Sequence, residues 1–242
     1  MLTEGNLKHM LAVGNLMAKY WDIFGHDKDG GGLGADALFM LGYLHDIGCY
    51  KDIEEPDKAG AEIIMHTFPW ALNPGHLSED DFIEPEYDTN HHMWFGKQVP
   101  DSMPKSKCEI YKGSMIAHCI RWHKTSPDVY MAFFNVTEDE IPSALCLLWW
   151  ADMCVGDRDD KTVVRSNTDD TVIIKGNAGE LVGPHVRLQD IEDRFGIKSA
   201  EYSHARGIVD WLQTSDRGLK AQQAISDKDR KDPDDCSESF LD

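Results

Sequence analysis

The sequence predicts an all-α fold. Apolar residues recur at helical spacing in four separate segments, whereas strand-like alternation is confined to two short stretches, KTVVRS and DTVIIKGN. The chain has 242 residues, of which 41% are hydrophobic, so it can bury a core of ordinary size. We therefore expect a single helical domain with local additions.

The first two predicted helices, over about 5–21 and 35–47, each carry a histidine on the apolar face. His9 shares its face with Ala12, Val13, Leu16 and Tyr20. His45 ends the second apolar stripe and adjoins Asp46. Because burying an unpaired carboxylate is costly, Asp46 needs a cation, and a metal ion shared with other side chains is one solution.

A third helix is predicted over about 57–67, and Asp57 at its start could cap the helix or serve as a ligand or base. Pro69 and Pro74 then interrupt the helical pattern. Residues 69–107 form a long polar and aromatic insertion, and loops of this length are usually functional or disordered. We expect it to fold over the site as a lid or to pair with a second subunit, with a surface excursion as the alternative.

Two later helices carry His123 and Asp152 in equivalent positions. Each follows three apolar residues at helical spacing: Ile116, Cys119 and Ile120 before His123, and Leu145, Leu148 and Trp149 before Asp152. Thr137 and Glu140 form a capping-box pattern ahead of the second helix, with Pro142 as an alternative start. Four helices therefore each place a metal-capable or titratable side chain on the face predicted to be buried.

The remainder of the chain adds two smaller features. β-Branched and polar residues alternate around an Asn-Thr-Asp-Asp turn, which predicts a short β-hairpin over 161–177. The end of the chain, SDKDRKDPDDCSESFLD, is charged and nearly devoid of apolar side chains, and we expect an acidic, disordered tail over 215–242. One domain is thus predicted over 1–214.

Four of these residues form a short signature: His9, His45-Asp46 in an HDIG context, and Asp152 in a WADM context. Over roughly residues 5–156 the chain resembles the HD-domain superfamily of metal-dependent phosphohydrolases, in particular its small bacterial or phage members. The resemblance implies an HD-domain helical bundle in which these four residues bind one divalent metal ion, from among Mn, Co, Ni, Fe, Zn and Mg. It also implies hydrolysis of a nucleotide or other small phosphorylated metabolite through a metal-activated water.

Two departures from the family pattern favour one metal over two. Asp57 stands where dinuclear members have a histidine, and Lys124 follows His123 where they have a second histidine. The resemblance implies that Asp46, His123 and Asp57 carry the catalysis, with His123 stabilising charge and Asp57 or a bulk water moving protons. Two rival functions stay open: an HD-fold diiron oxygenase, which would need two irons, and a catalytically silent HD-fold binding module.

The net charge of -19 argues against nonspecific binding to nucleic acid or to an anionic membrane, and an anionic substrate would need local cations. Lys51, Arg121 and Lys124 lie nearest the signature residues and are the predicted substrate contacts, although ordinary surface charges would show the same pattern.

Six cysteines without a C-x-x-C pair indicate reduced thiols. No signal-peptide or membrane-spanning pattern is seen, so we expect a cytoplasmic protein, with a homodimer as an open alternative to a monomer.

Overall fold

The computed structural model describes residues 3–24, 33–50, 55–67, 85–88, 93–96, 112–157, 163–165, 171–173 and 176–231. This part of the chain is mostly helical, which confirms the predicted all-α class. None of its helices combines the length and the apolar character needed to cross a bilayer. The helices are α1 Glu4–Lys19, α2 Ala35–Leu44, α3 Pro56–Thr67, α4 Lys112–Trp122, α5 Pro127–Phe134, α6 Ser143–Met153, α7 Pro184–Phe195, α8 Ala200–Thr214 and α9 Asp216–Lys231.

Helix α6 lies in the middle of the core. Its sequence, SALCLLWWADM, is apolar on every side, and a helix of this kind is stable only when other elements surround it. α6 contacts α1, α2, α4, α7 and α8. The helix starts after Pro142, and the predicted capping box of Thr137 and Glu140 closes a separate 3-10 turn just before it. α6 therefore carries Asp152, near its end, into the interior of the bundle.

Helices α1 and α2 cross at unusually close range because glycines face each other. A Cβ built on Gly42 would lie 2.8 Å from the Cα of Gly14, so neither position has room for a side chain. The two helices run in opposite directions, since residues near the end of α2 contact the first half of α1. This crossing brings His9 and His45 to the same end of the pair.

An aromatic cluster joins α4, α5 and α6. The ring of His118 contacts Trp122 and Tyr130, and its Nε2 is 2.8 Å from the Tyr130 hydroxyl. Tyr130 in turn packs edge-on against Trp149 of α6. Burial lowers the pKa of His118 to about 3, so this imidazole is a neutral core side chain. The cluster fixes the end of α4, from which His123 projects.

Four short strands form two antiparallel pairs. β1 Pro85–Asp88 pairs with β2 Met93–Gly96, and β3 Val163–Arg165 pairs with β4 Thr171–Ile173. The second pair lies within the predicted range 161–177, but the connecting turn is outside the described residues, so the complete hairpin stays a prediction. Most of the 69–107 insertion is also outside the described residues, and its role as a lid or dimer contact stays a hypothesis.

The prediction of a disordered tail over 215–242 is wrong for residues 216–231, which form α9. Ser215 accepts a hydrogen bond from the Gly218 amide at 2.9 Å and so caps the helix. Ala221 and Ile225, one turn apart, are buried in the core. This apolar stripe is narrow, so the apolar content of the whole segment is low. A narrow stripe is nevertheless enough to dock a charged helix against the core. Residues 232–242 lie outside the described part.

Candidate metal centre

Four helix segments bring their polar side chains together at one point. His9 comes from α1, His45 and Asp46 from the end of α2, and Asp152 from α6, with His123 directly after α4. The described residues contain two groups that could hold a metal ion. They are His9, His45 and Asp152, and His45, Asp46 and His123. The four predicted metal ligands and the predicted catalytic residue His123 are thus neighbours.

The first group is compact. His9 Nε2 lies 3.0 Å from Asp152 Oδ1 and 3.3 Å from His45 Nε2. His45 Nε2 lies 3.7 Å from Asp152 Oδ1 and 3.4 Å from Asp46 Oδ2. Ligand atoms in adjacent positions around an octahedral ion, with bonds of about 2.1 Å, are about 3.0 Å apart. The separations in this group are therefore suitable for a shared ion with a small adjustment of the side chains.

Backbone carbonyls fix the orientation of the His9 and His45 rings by binding the Nδ1 atom of each ring. Nδ1 of His9 donates to the Gly156 carbonyl at 3.1 Å, and Nδ1 of His45 donates to the Gly42 carbonyl at 2.6 Å. A carbonyl oxygen can only accept, so each neutral ring has its proton on Nδ1 and a lone pair on Nε2. Two such lone pairs 3.3 Å apart repel each other unless a proton or a metal ion lies between them. The donor set thus fits a divalent cation.

The electrostatics favour the protonation states that a metal requires. Burial is the largest influence on His45 and lowers its pKa to about 4, so the ring is neutral at pH 7. Burial is the largest single influence on Asp152 and opposes its ionisation, but the hydrogen bond to His9 and the nearby histidine and Arg187 charges together outweigh burial, and the Asp152 pKa falls below its ordinary value. For Asp46, burial is likewise outweighed by Lys124 and His45, which hold its pKa well below 3.8. Neutral imidazole and ionised carboxylate are the metal-binding forms.

The centre is open on its carboxylate side. The side chains of His9 and His45 are at most 1% exposed, whereas those of Asp46 and Asp152 are 16% and 20% exposed. Solvent, and therefore a small substrate, can reach the carboxylates while the imidazoles stay dry. Solvent therefore reaches the centre from the side of the Asp46 and Asp152 carboxylates.

A lysine lies beside Asp46. Lys124 Nζ is 2.9 Å from Asp46 Oδ1 and 3.4 Å from Asp57 Oδ1, so the ammonium lies between two carboxylates. The Cys49 thiol is 3.8 Å from Asp46 Oδ1, and burial raises its pKa to about 11, so it stays protonated. The structure therefore brings the predicted site residues Asp57 and Lys124 to the centre.

Two predicted substrate contacts are not placed there. Lys51 lies outside the described residues. Arg121 lies over the ring of Trp122, with 5.6 Å between the guanidinium carbon and the ring centroid. Contact between Arg121 and substrate stays a prediction.

Sequence reasoning missed the residues that support His9. Asp157, next to Gly156, forms ion pairs with Arg187 and Arg194 of α7. Arg187 is buried, and its charge also helps to keep Asp152 ionised. The sequence does carry a signal for these residues. Arg187, Asp190 and Arg194 follow one another at spacings of three and four, so they share one face of α7. Such a set is usually interpreted as a solvated face, so it gave no reason to place α7 near the centre.

No protein-family model, curated protein or solved structure matches this chain. The likeness to the HD-domain superfamily therefore rests on the signature residues alone and stays an expectation. The physical observation that stands independently is the convergence of histidine and aspartate side chains that could hold a metal ion.

Proposed function

We propose that this protein is a metal-dependent phosphohydrolase that acts on a nucleotide or another small phosphorylated metabolite. The observation that supports it most is the facing pair of buried Nε2 atoms, of His9 and His45, beside the carboxylates of Asp46 and Asp152. These four residues would hold one divalent ion. The ion would supply Lewis-acid chemistry, lowering the pKa of a bound water and polarising a phosphoryl oxygen.

The residues around the four ligands are suited to phosphate chemistry. Burial is the largest single influence on His123 and lowers its pKa, but the hydrogen bond to Asp46 and the negative charges of Asp57 and Asp46 together outweigh burial and raise the pKa, so the ring holds a proton more readily than free histidine. A protonated imidazole can donate to a phosphoryl oxygen and stabilise its charge. Lys124 adds a fixed positive charge beside Asp46, and Asp57 on its other side can accept a proton from solvent.

The proposal is tested by incubating purified protein with nucleoside mono-, di- and triphosphates in the presence of Mn, Co, Ni or Mg. We expect metal-dependent release of phosphate, pyrophosphate or triphosphate, and the product identifies the bond that is cut. Asp46→Ala should abolish both turnover and metal binding, because it removes a ligand from the centre. Asp210→Asn is the control, since the Asp210 side chain is 49% exposed and pairs with Arg206 one turn earlier on α8.

Two results would contradict the proposal. One is the absence of metal-dependent turnover on every phosphorylated compound tested, which would favour a binding module. The other is undiminished turnover in Asp46→Ala, which would place the chemistry elsewhere in the chain.

A further inference from the structure

The two oxygens of Asp46 face different partners. Oδ2 lies 3.4 Å from His45 Nε2, on the side of the first metal-binding group. Oδ1 lies 3.5 Å from His123 Nε2 and 2.9 Å from Lys124 Nζ. Asp46 therefore separates two positions for a cation, and the second is occupied by an ammonium group.

The second position has the donors of a metal site. His123 Nε2 faces Asp46 Oδ1, and the ligand atoms of His45, Asp46 and His123 lie within 4.8 Å of one another. Asp57 is not part of that group and is linked to it through the ammonium, which lies 3.4 Å from Asp57 Oδ1. His123 donates Nδ1–H to the Ile120 carbonyl at 2.7 Å, so the ring is oriented with Nε2 toward the second position. Asp57 Oδ1, on the far side of the ammonium, is buried without a hydrogen bond among the described residues.

The charges of the centre balance with one metal ion and the ammonium. Asp46, Asp57 and Asp152 contribute three negative charges, which one divalent ion and the Lys124 ammonium neutralise. The Lys124 Nζ lies 2.9 Å from Asp46 Oδ1 and 3.4 Å from Asp57 Oδ1, and a lysine side chain is ordinarily protonated at neutral pH.

We infer that the Lys124 ammonium occupies a second cation position, formed by Asp46, Asp57 and His123, and thereby restricts the centre to one metal ion. The inference rests on the proposed function, because it assumes that the first group binds a metal. A lysine at this position holds a positive charge next to the first ion without competing for that ion. Removing the ammonium should leave two carboxylates and an imidazole for a second divalent ion.

The test compares metal content in the full-length protein and two variants at Lys124. Each protein is loaded with excess Mn²⁺, freed of unbound ion and analysed for metal per chain by mass spectrometry. We expect one ion in the wild type, one in Lys124→Arg, which keeps the charge, and two in Lys124→Met, which removes it. Far-UV circular dichroism verifies that each variant is folded, and Lys124→Gln replaces Lys124→Met if the latter unfolds.

A second measurement needs no variant. The paramagnetic resonance spectrum of the Mn²⁺-loaded wild type should be that of isolated ions, whereas two ions sharing Asp46 would give a spin-coupled spectrum. A spin-coupled wild type, or a single ion in folded Lys124→Met and Lys124→Gln, would overturn the inference and leave the proposed function intact. A wild type that binds no metal would overturn the proposed function instead. Two irons per chain in the wild type would favour the diiron oxygenase.

Discussion

The histidines of the centre differ in what holds their rings in place. His45 and His123 each donate to a carbonyl three residues earlier, so the end of their own helix sets the orientation. His9 instead donates to Gly156, which lies 147 positions later in the chain. His9 also has the shortest link to a carboxylate, at 3.0 Å from Asp152. The protonation of His9 therefore depends on tertiary structure.

Metal affinity should rise with pH because of His9. Burial is the largest single influence and lowers the pKa of this residue, but the hydrogen bond to Asp152 and the charges of Asp152 and Asp46 together outweigh burial and raise the pKa, so the ring of the metal-free protein holds a proton on Nε2 more tightly than free histidine. A metal ion must displace that proton, and the displacement becomes easier as the pH rises through the pKa. Titration calorimetry with Mn²⁺ from about pH 6 to about pH 8, in buffers of different ionisation enthalpy, measures both the affinity and the proton release.

His185→Gln is the control for this pH dependence, because His185 is exposed and bonded to Gln213 rather than to the centre. It should leave the profile unchanged. An affinity that is constant over the range, with no proton released, would show that His9 is already neutral before the metal binds.

The positions of the ligand residues could be predicted from the sequence, but their partners could not. A histidine or aspartate on an apolar stripe is predicted to face the core, and this periodicity identified His9 and His45, which are buried, and Asp152, which is 20% exposed. The bridge from Lys124 to Asp57 joins α3 to the end of α4, and periodicity contains no information on how two helices are placed. Relative placement depends on packing across the whole bundle.

At the scale of elements, the segment after α6 is the support of the centre. The Gly156 amide donates to the Glu180 carbonyl, and the Gly156 carbonyl accepts from Gly179, both at 2.9 Å. Val155 and Leu181 form an isolated antiparallel bridge beside them. This pairing has no alternating pattern in the sequence, so it could not be predicted. It holds the carbonyl that orients His9.

Gly156→Ala should weaken metal binding while sparing the fold. A Cβ at this position would lie 2.3 Å from the Asn177 carbonyl oxygen, so the backbone must shift and carry the Gly156 carbonyl away from His9. Loss of such a supporting hydrogen bond typically lowers metal affinity about 10- to 100-fold. Gly183→Ala is the control, because a Cβ there meets no atom within 4 Å. Equal Mn²⁺ affinities for the two variants in calorimetric titration would show that the carbonyl does not position the ring.

At the scale of the whole molecule, one arginine links α9 to the rest of the bundle. Arg217 donates to the Ile141 carbonyl at 2.6 Å, to the Ser143 hydroxyl at 2.6 Å and to the Phe24 carbonyl at 3.4 Å. Its backbone amide also donates to Glu138 at 3.1 Å. These partners come from two distant parts of the sequence. The helical class could be predicted, but the place of this last helix could not, because the hydrogen bonds from Arg217 to distant backbone carbonyls leave no pattern in the sequence.

Arg217→Ala should lower the free energy of unfolding by about 2 kcal/mol, since hydrogen bonds from a charged donor are lost and partly buried acceptors are left unpaired. Urea denaturation of the two proteins measures the difference. Arg206→Ala, which removes an exposed pair within α8, should leave the free energy of unfolding nearly unchanged, because an exposed ion pair contributes little. If both substitutions had the same small effect, residues 216–231 would contribute nothing to the fold, as a disordered tail would.

The hydrogen bond from His9 to Gly156 also constrains when the centre can form during synthesis of the chain. A ribosome releases His9 and His45 long before it releases Asp152 and the carbonyl that fixes His9. The nascent chain therefore presents two loosely oriented imidazoles, which hold metal ions only weakly. At the proposed centre, tight capture of an ion would wait until translation has passed Gly156, and loading with metal would accordingly be a late event in the maturation of the protein.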